Sequence, residues 1–246
     1  ATLAELKAIN NATSGTLTLN AQSISADYSG LAADVKDAFA GITTQTGKIT
    51  LTDTSVSVAD INAVAPVTSG VVTATITSGA ASVLKALTTT STDAITMTVN
   101  AEAASAATQA SDLVSLNGKT NQVITMTAVT KVSGSYADLL DVYVTNAGQY
   151  NGEGDEAVTI TGTVTAAQAD AIADVTSGVV TATIDADTAA ALNVALVDSG
   201  SQVNAYNLTI NGTTATASEI TNLDNKTSGN ITLSGTSMTI TVASGE

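Results

Sequence analysis

Val67-Thr68-Ser69-Gly70-Val71-Val72-Thr73-Ala74-Thr75-Ile76 recurs residue for residue as Val175-Thr176-Ser177-Gly178-Val179-Val180-Thr181-Ala182-Thr183-Ile184. An identical decamer signals internal duplication, so the fold is sought as a repeat. Its second half is a Thr-x-Thr element between large apolar residues. Related elements occur at Thr16-Leu17-Thr18, Thr50-Leu51-Thr52, Thr96-Met97-Thr98, Thr125-Met126-Thr127 and Thr159-Ile160-Thr161, with weaker copies at Thr209 and Thr232. Its first half is a Ser-Gly turn, echoed by Ser-Gly or Asn-Gly at Gly15, Gly118 and Gly229.

Working outward, Thr2-x-x-Glu5, Ser57-x-x-Asp60, Thr165-x-x-Gln168 and Thr216-x-x-Glu219 have capping-box spacing before short helical apolar patterns. Glycine is read as the helix stop at Gly70 and Gly178. Further Ala-rich helices are expected near residues 31–39, 80–87, 136–143 and 188–197, since Ala has the best helix propensity. The unit is helix, turn, strand, helix, loop, strand, with a period of about 48–60 residues. The expected boundaries are 1–56, 57–102, 103–164, 165–215 and 216–246, in one array spanning 1–246.

Period-two alternation puts Ile49, Leu51, Ile95, Met97 and Val99 on one strand face and threonines on the other. Crossovers of this length give parallel pairing. The predicted fold is α/β: a repetitive solenoid with a parallel sheet of Thr-x-Thr strands backed by short Ala-rich helices. Strands about 4.8 Å apart against helices about 8–10 Å apart would curve the array, Thr face concave. Helices on both faces, or a pure β-solenoid, are the alternatives.

Composition removes much chemistry. The chain has 246 residues, no Cys, no His, no Trp, seven basic residues and a net charge of −15. Without His or Cys there is no Ser-His-Asp or Cys-His nucleophile and no ordinary zinc site. The charge argues against nucleic acid and anionic membranes, and no apolar run is long enough to span a bilayer. A carboxylate pair would suit a glycosidase, but aromatics are only 2% of residues. The chain therefore reads as a non-enzyme. Ala1 follows no signal-peptide pattern, which reads as a processed product or a piece of something longer.

The run Gly152-Glu153-Gly154-Asp155-Glu156-Ala157-Val158-Thr159-Ile160-Thr161, with Ala167-Gln168-Ala169-Asp170 and Thr176-Ser177-Gly178 after it, resembles repeats of very long secreted and cell-surface proteins of cyanobacteria. The likeness is best over 152–184. It implies a segment of a large extracellular or bacterial cell-surface repeat protein.

The remaining candidates are binding surfaces. Calcium is the one candidate cofactor, through Glu153, Asp155 and Glu156 in a Gly-rich loop and through the pair Asp185 and Asp187. The competing reading makes Asp185 or Asp187 a helix cap and the loop acids merely solvated. The Thr face, comprising Thr50, Thr52, Thr73, Thr75, Thr96, Thr98, Thr125, Thr127, Thr159, Thr161, Thr181 and Thr183, is a candidate face for ice, a glycan or another surface partner; the plain alternative is that Thr is a good strand former. Asn11, Asn207, Asn211, Asn225 and Asn230 open Asn-x-Ser/Thr sequons. Leu3, Leu6 and Leu17 lie near the first edge, and Ile231, Leu233, Met238 and Ile240 near the last, so end-to-end self-association is the expected partner interaction.

Overall fold

The capping pairs open helices as their spacing requires. Thr2 Oγ1 accepts the Glu5 N–H at 3.2 Å while the Glu5 carboxylate accepts the Thr2 N–H at 2.8 Å. The same reciprocal box starts the helices Ala166–Ala173 and Ala217–Lys226, and Ser57 caps Val58–Val64. Each cap satisfies an otherwise orphaned donor and contributes about 1 kcal/mol.

In this computed structural model, residues 1–197, 203–234 and 237–242 are described. They are mixed α/β, with parallel sheets throughout, and fall into two compact units. One comprises Ala1–Asn100, Asp112–Met126 and Gly148–Asn151; the other comprises Ala101–Ser111, Thr127–Ala147 and Gly152–Glu246.

The first unit carries a four-stranded parallel sheet of Tyr28–Gly30, Ile49–Leu51, Val72–Thr75 and Ala94–Thr96, in sequence order. Its register pairs Tyr28 with Ile49, Ile49 with Val72, and Thr73 with Ala94, a step of 21 to 23 residues. The second unit holds six parallel strands, Thr108–Gln109, Lys131–Gly134, Ala157–Val164, Val180–Ile184, Ala205–Ile210 and Ile231–Leu233, again in sequence order. Its steps run from 20 residues (Thr163 to Thr183) to 26 (Lys131 to Ala157). A sheet strand and the segment that crosses over to the next form one rung, a step shorter than the 48–60 residues expected of the sequence unit. Ile49, Val72, Ile95, Val158, Val180 and Leu208 are buried, as alternation requires.

The decamer's Thr-Ser-Gly is a stacking device. Thr68 Oγ1 donates to the Gly47 carbonyl of the preceding rung at 2.7 Å and accepts the Gly70 N–H at 2.8 Å, while the Ser69 N–H donates to the Gln45 carbonyl at 2.9 Å. Thr176 repeats this on Glu156 and Thr227 on Tyr206. At Gly70 a Cβ would lie 2.5 Å from the Gly47 oxygen and 2.6 Å from that of Thr46; at Gly47, Gly178 and Gly229 it would overlap a carbonyl of the rung before. These glycines allow close approach of two main chains and need no positive φ. They are not the helix stops expected of Gly70 and Gly178: the C-caps are Ala65 and Asp174.

Successive helices are tied side by side in the first unit. Lys7 Nζ reaches Asp34 at 2.6 Å and Asp37 at 3.0 Å, Lys36 pairs with Asp60, and Lys85 pairs with Asp112 at 2.9 Å. In the second unit Lys226 Nζ instead donates to the Asn193 carbonyl at 2.9 Å, near the end of the helix Ala189–Ala195. The pairs of Lys7 and Lys36, half-exposed and largely solvated, set spacing more than stability, whereas Asp112 is buried.

Three other expectations are corrected. Thr16-Leu17-Thr18 forms no strand. The helix expected over 80–87 is the single turn Ala81–Leu84. The one expected over 136–143 is α-helical for Tyr136–Leu140 and continues as a π-helical turn, Asp141–Thr145.

Candidate functional site

The loop at 151–156 does not gather its acids. Glu156 is fully buried, and its Oε2 accepts the Tyr143 hydroxyl at 3.1 Å and the Gly154 N–H at 2.8 Å. Its Oε1 has no partner among the described residues. Burial pushes this carboxyl above its ordinary range, with a smaller upward contribution from Asp155; burial, and then the charge of Glu156, push the Tyr143 phenol up. Glu153 is half-buried and Asp155 exposed. Among the described residues no three acidic side chains converge as a cation cage would require. Glu156 is thus used inward, with its carbonyl receiving the Thr176 hydroxyl at 2.8 Å.

Asp185 and Asp187 are both exposed. Asp187 Oδ1 accepts the Thr188 N–H at 2.7 Å, and Thr188, not either aspartate, is the N-cap of Ala189–Ala195. The main chain of Asp187 bridges to the next rung, its N–H donating to Thr209 and its carbonyl accepting from Asn211.

The threonines do not share one open face: Thr73 Oγ1 is buried without a partner among the described residues, and Thr127 lies in a turn. Thr52, Thr75, Thr96, Thr127, Thr159, Thr161 and Thr183 are exposed; Thr50, Thr73, Thr98, Thr125 and Thr181 are half-buried. Their register is also broken. In the first unit Ser29, Thr50 and Thr73 are followed by Ala94, and Thr75 sits beside Thr96; in the second, Ser133, Thr159 and Thr181 are followed by Ala205. A shift between Thr159 and Thr163, at Gly162 with φ 81°, sets Thr163 rather than Thr161 opposite Thr183.

The last rung presents a different surface. The register pairs Ile210 with Leu233 and Ala215 with Ile240. Ile210 is 0% exposed and Ala215 4%, yet Leu233 is 42% and Ile240 46% exposed, with Val242 at 71%. The buried column of one rung therefore continues as an uncovered column on the next. Ile231 and Met238 flank it, half-buried. At the first edge Leu6 is buried, Leu3 and Leu17 are half-buried, and a groove of about 620 Å³ runs past Leu3, Lys7, Gly30 and Asp34.

Two functional features had no sequence signal that singled them out: the inward turn of Glu156 onto Tyr143, and the exposure contrast between rungs. The Thr-Ser-Gly repeats were visible as punctuation. Comparison with protein-family models, curated proteins and solved structures gave no match. Among the described residues no helix is long and apolar enough to cross a membrane.

Proposed function

We propose that this chain is a non-enzymatic structural or adhesive repeat protein on or outside a bacterial cell, a solenoid whose rungs extend by edge addition. The observation that supports this reading is the repeated main-chain grip: Thr68, Thr176 and Thr227 each donate to a carbonyl of the rung before. Parallel rungs that meet through main-chain hydrogen bonds form an interface that any similar rung can extend. The consequence is end-to-end self-association into a fibre, or incorporation into a longer surface solenoid. Negative-stain electron microscopy of the purified chain, with and without calcium, tests it. Uniform filaments support it; discrete particles under both conditions at high concentration refute it. Filaments that need calcium would bring Glu153 and Asp155 back as contacts between copies.

The second reading is a binding module that uses the Thr face for ice or a glycan. The exposed same-register pair Thr75 and Thr96 favours it, and the interruptions at Ala94 and Ala205 weigh against it. Absence of ice-growth inhibition and of glycan-array binding would remove it.

A further inference from the structure

We propose that the cleft between the Thr68-Ser69-Gly70 turn and the 88–93 loop binds a neutral saccharide. This site is independent of self-stacking, and it is separate from the Thr face of the second reading above.

The stacking grip is missing at this junction. Thr68, Thr176 and Thr227 each donate to a carbonyl of the rung before, those of Gly47, Glu156 and Tyr206. On the Thr68 turn the corresponding carbonyl is that of Gly70, and the register of Thr73 on Ala94 brings Thr89-Thr90-Ser91-Thr92-Asp93 to this place. The hydroxyls of that loop turn elsewhere. Thr89 Oγ1 donates to the Lys119 carbonyl at 2.8 Å, and Thr90 Oγ1 to the Asp93 carboxylate at 3.2 Å. Among the described residues nothing donates to the Ser69 or Gly70 carbonyl. A cleft of about 480 Å³ opens between the two segments, within the size range of small-molecule sites. The residues that line it all belong to the first unit.

The walls are fixed in advance. Asn62 Oδ1 accepts the Thr88 N–H at 2.8 Å, and its Nδ2 donates to the Ala86 carbonyl at 2.8 Å. Asp93, only 6% exposed, accepts the Val72 and Thr90 N–H groups at 2.7 and 2.8 Å. The loop is therefore held before anything enters, and a ligand has little ordering left to do.

The lining selects the chemistry. Ser69, Thr88, Thr90 and Thr92 are exposed, and their hydroxyls both donate and accept. The open Ser69 and Gly70 carbonyls only accept, so the ligand must bring donors of its own. Half-buried Ala65 and exposed Pro66 form an apolar wall that suits the C–H face of a sugar ring. No lysine is among the described residues of the lining, and the chain carries −15, which disfavours an anion. The Asp93 carboxylate is the one charge there, and main-chain N–H groups take it up, which leaves no cage for a cation. A neutral ligand rich in hydroxyls and with an apolar face is a saccharide. With no aromatic platform among the described lining residues, a single ring should bind with a Kd on the order of 1 mM.

The test is a titration of the isotopically labelled full chain, followed by amide NMR shifts. The probes are glucose, galactose, mannose and N-acetylglucosamine, each raised to about 50 mM, well above a millimolar Kd. Gluconate, hydroxyl-rich but anionic, is the control. The expected result is a saturable shift at Ser69, Gly70, Thr90 and Thr92 with at least one of the four sugars, and a roughly tenfold or greater loss of affinity for gluconate. Ser69→Ala combined with Thr92→Val removes two exposed hydroxyls and should weaken binding roughly fivefold or more, with an unchanged melt by circular dichroism. No saturable shift with any of the four sugars overturns the site. Saturable shifts confined to Thr50, Thr75 and Thr96 overturn it in favour of the Thr face. A double variant that binds as the wild type does overturns it as well. If the double variant melts early, Ser69→Ala alone decides, because the Ser69 hydroxyl has no hydrogen bond among the described residues: undiminished binding overturns the site, and weakened binding with a wild-type melt supports it.

Discussion

Gly70→Ala is the sharpest perturbation of the stacking device. A Cβ at this position would sit 2.5 Å from the Gly47 oxygen, 2.6 Å from the Thr46 oxygen and 2.7 Å from the Gly47 carbon. All three are main-chain atoms, so no side chain can rotate aside. An ordinary carbon–oxygen contact is about 3.3 Å or longer, so the two rungs must part locally by roughly 0.8 Å. That lengthens the Thr68 hydroxyl bond from 2.7 Å and the Ser69 N–H bond from 2.9 Å to the limit of useful geometry or past it. Losing two such bonds costs about 1–3 kcal/mol and residual overpacking another 1–3, for a total of about 2–6 kcal/mol. Against a usual stability of about 5–15 kcal/mol, that is a large fraction. Backbone conformation adds nothing, because φ is not positive here. Urea unfolding followed by far-ultraviolet circular dichroism measures the loss, and amide exchange at Val72 localises it. A cost under about 1 kcal/mol, the ordinary effect of a surface substitution, would refute the stacking role.

The buried acid gives a pH signature. Burial raises the Glu156 carboxyl above its ordinary range, so the folded state holds its proton more tightly than the unfolded state. Its contribution is full below about pH 4.5 and is lost as pH rises through the elevated folded value. Glu156→Gln should flatten that part of the stability–pH curve and gain most over wild type at neutral and alkaline pH; parallel curves in urea titrations from pH 4 to 8 would contradict this. Thr227→Val keeps shape but removes the hydroxyl that donates to the Tyr206 carbonyl and accepts the Tyr206 and Gly229 N–H groups. Its cost should be about 1–3 kcal/mol in denaturant unfolding. Asp93→Ala orphans the Val72 and Thr90 N–H groups, which donate to its carboxylate at 2.7 and 2.8 Å, and should cost about 2–6 kcal/mol, with Asp93→Asn milder.

Much of this was legible in the chain because it is local. The capping boxes at Thr2, Thr165 and Thr216 depend on residues three apart, and the buried faces of Ile49, Leu51, Ile95 and Met97 on alternation, so pattern sufficed. The rest depends on what lies one rung away. Gly70 looked like a helix stop because glycine commonly ends helices; its neighbour, the Gly47 carbonyl, is remote in sequence. The strongest identity, the decamer at Val67 and Val175, joins segments far apart in the chain, while strand pairing joins segments 21 to 23 residues apart, so the sequence repeat did not report the pairing step. Thr161 left the Thr ladder through a shift beside Gly162, which alternation alone does not report. Glu156 sat in a loop of acids, and only packing against Tyr143 turned it from solvent.

The Thr-Ser-Gly turns at Thr68, Thr176 and Thr227 grip the main chain of the rung before, through the carbonyls of Gly47, Glu156 and Tyr206, and not its side chains. Peptide groups are the same in every cassette. A gene segment encoding one such cassette can therefore be copied, deleted or shuffled without a compensating change in its neighbours. Length would then drift readily over evolutionary time, while the small set of residues in the grip stays fixed.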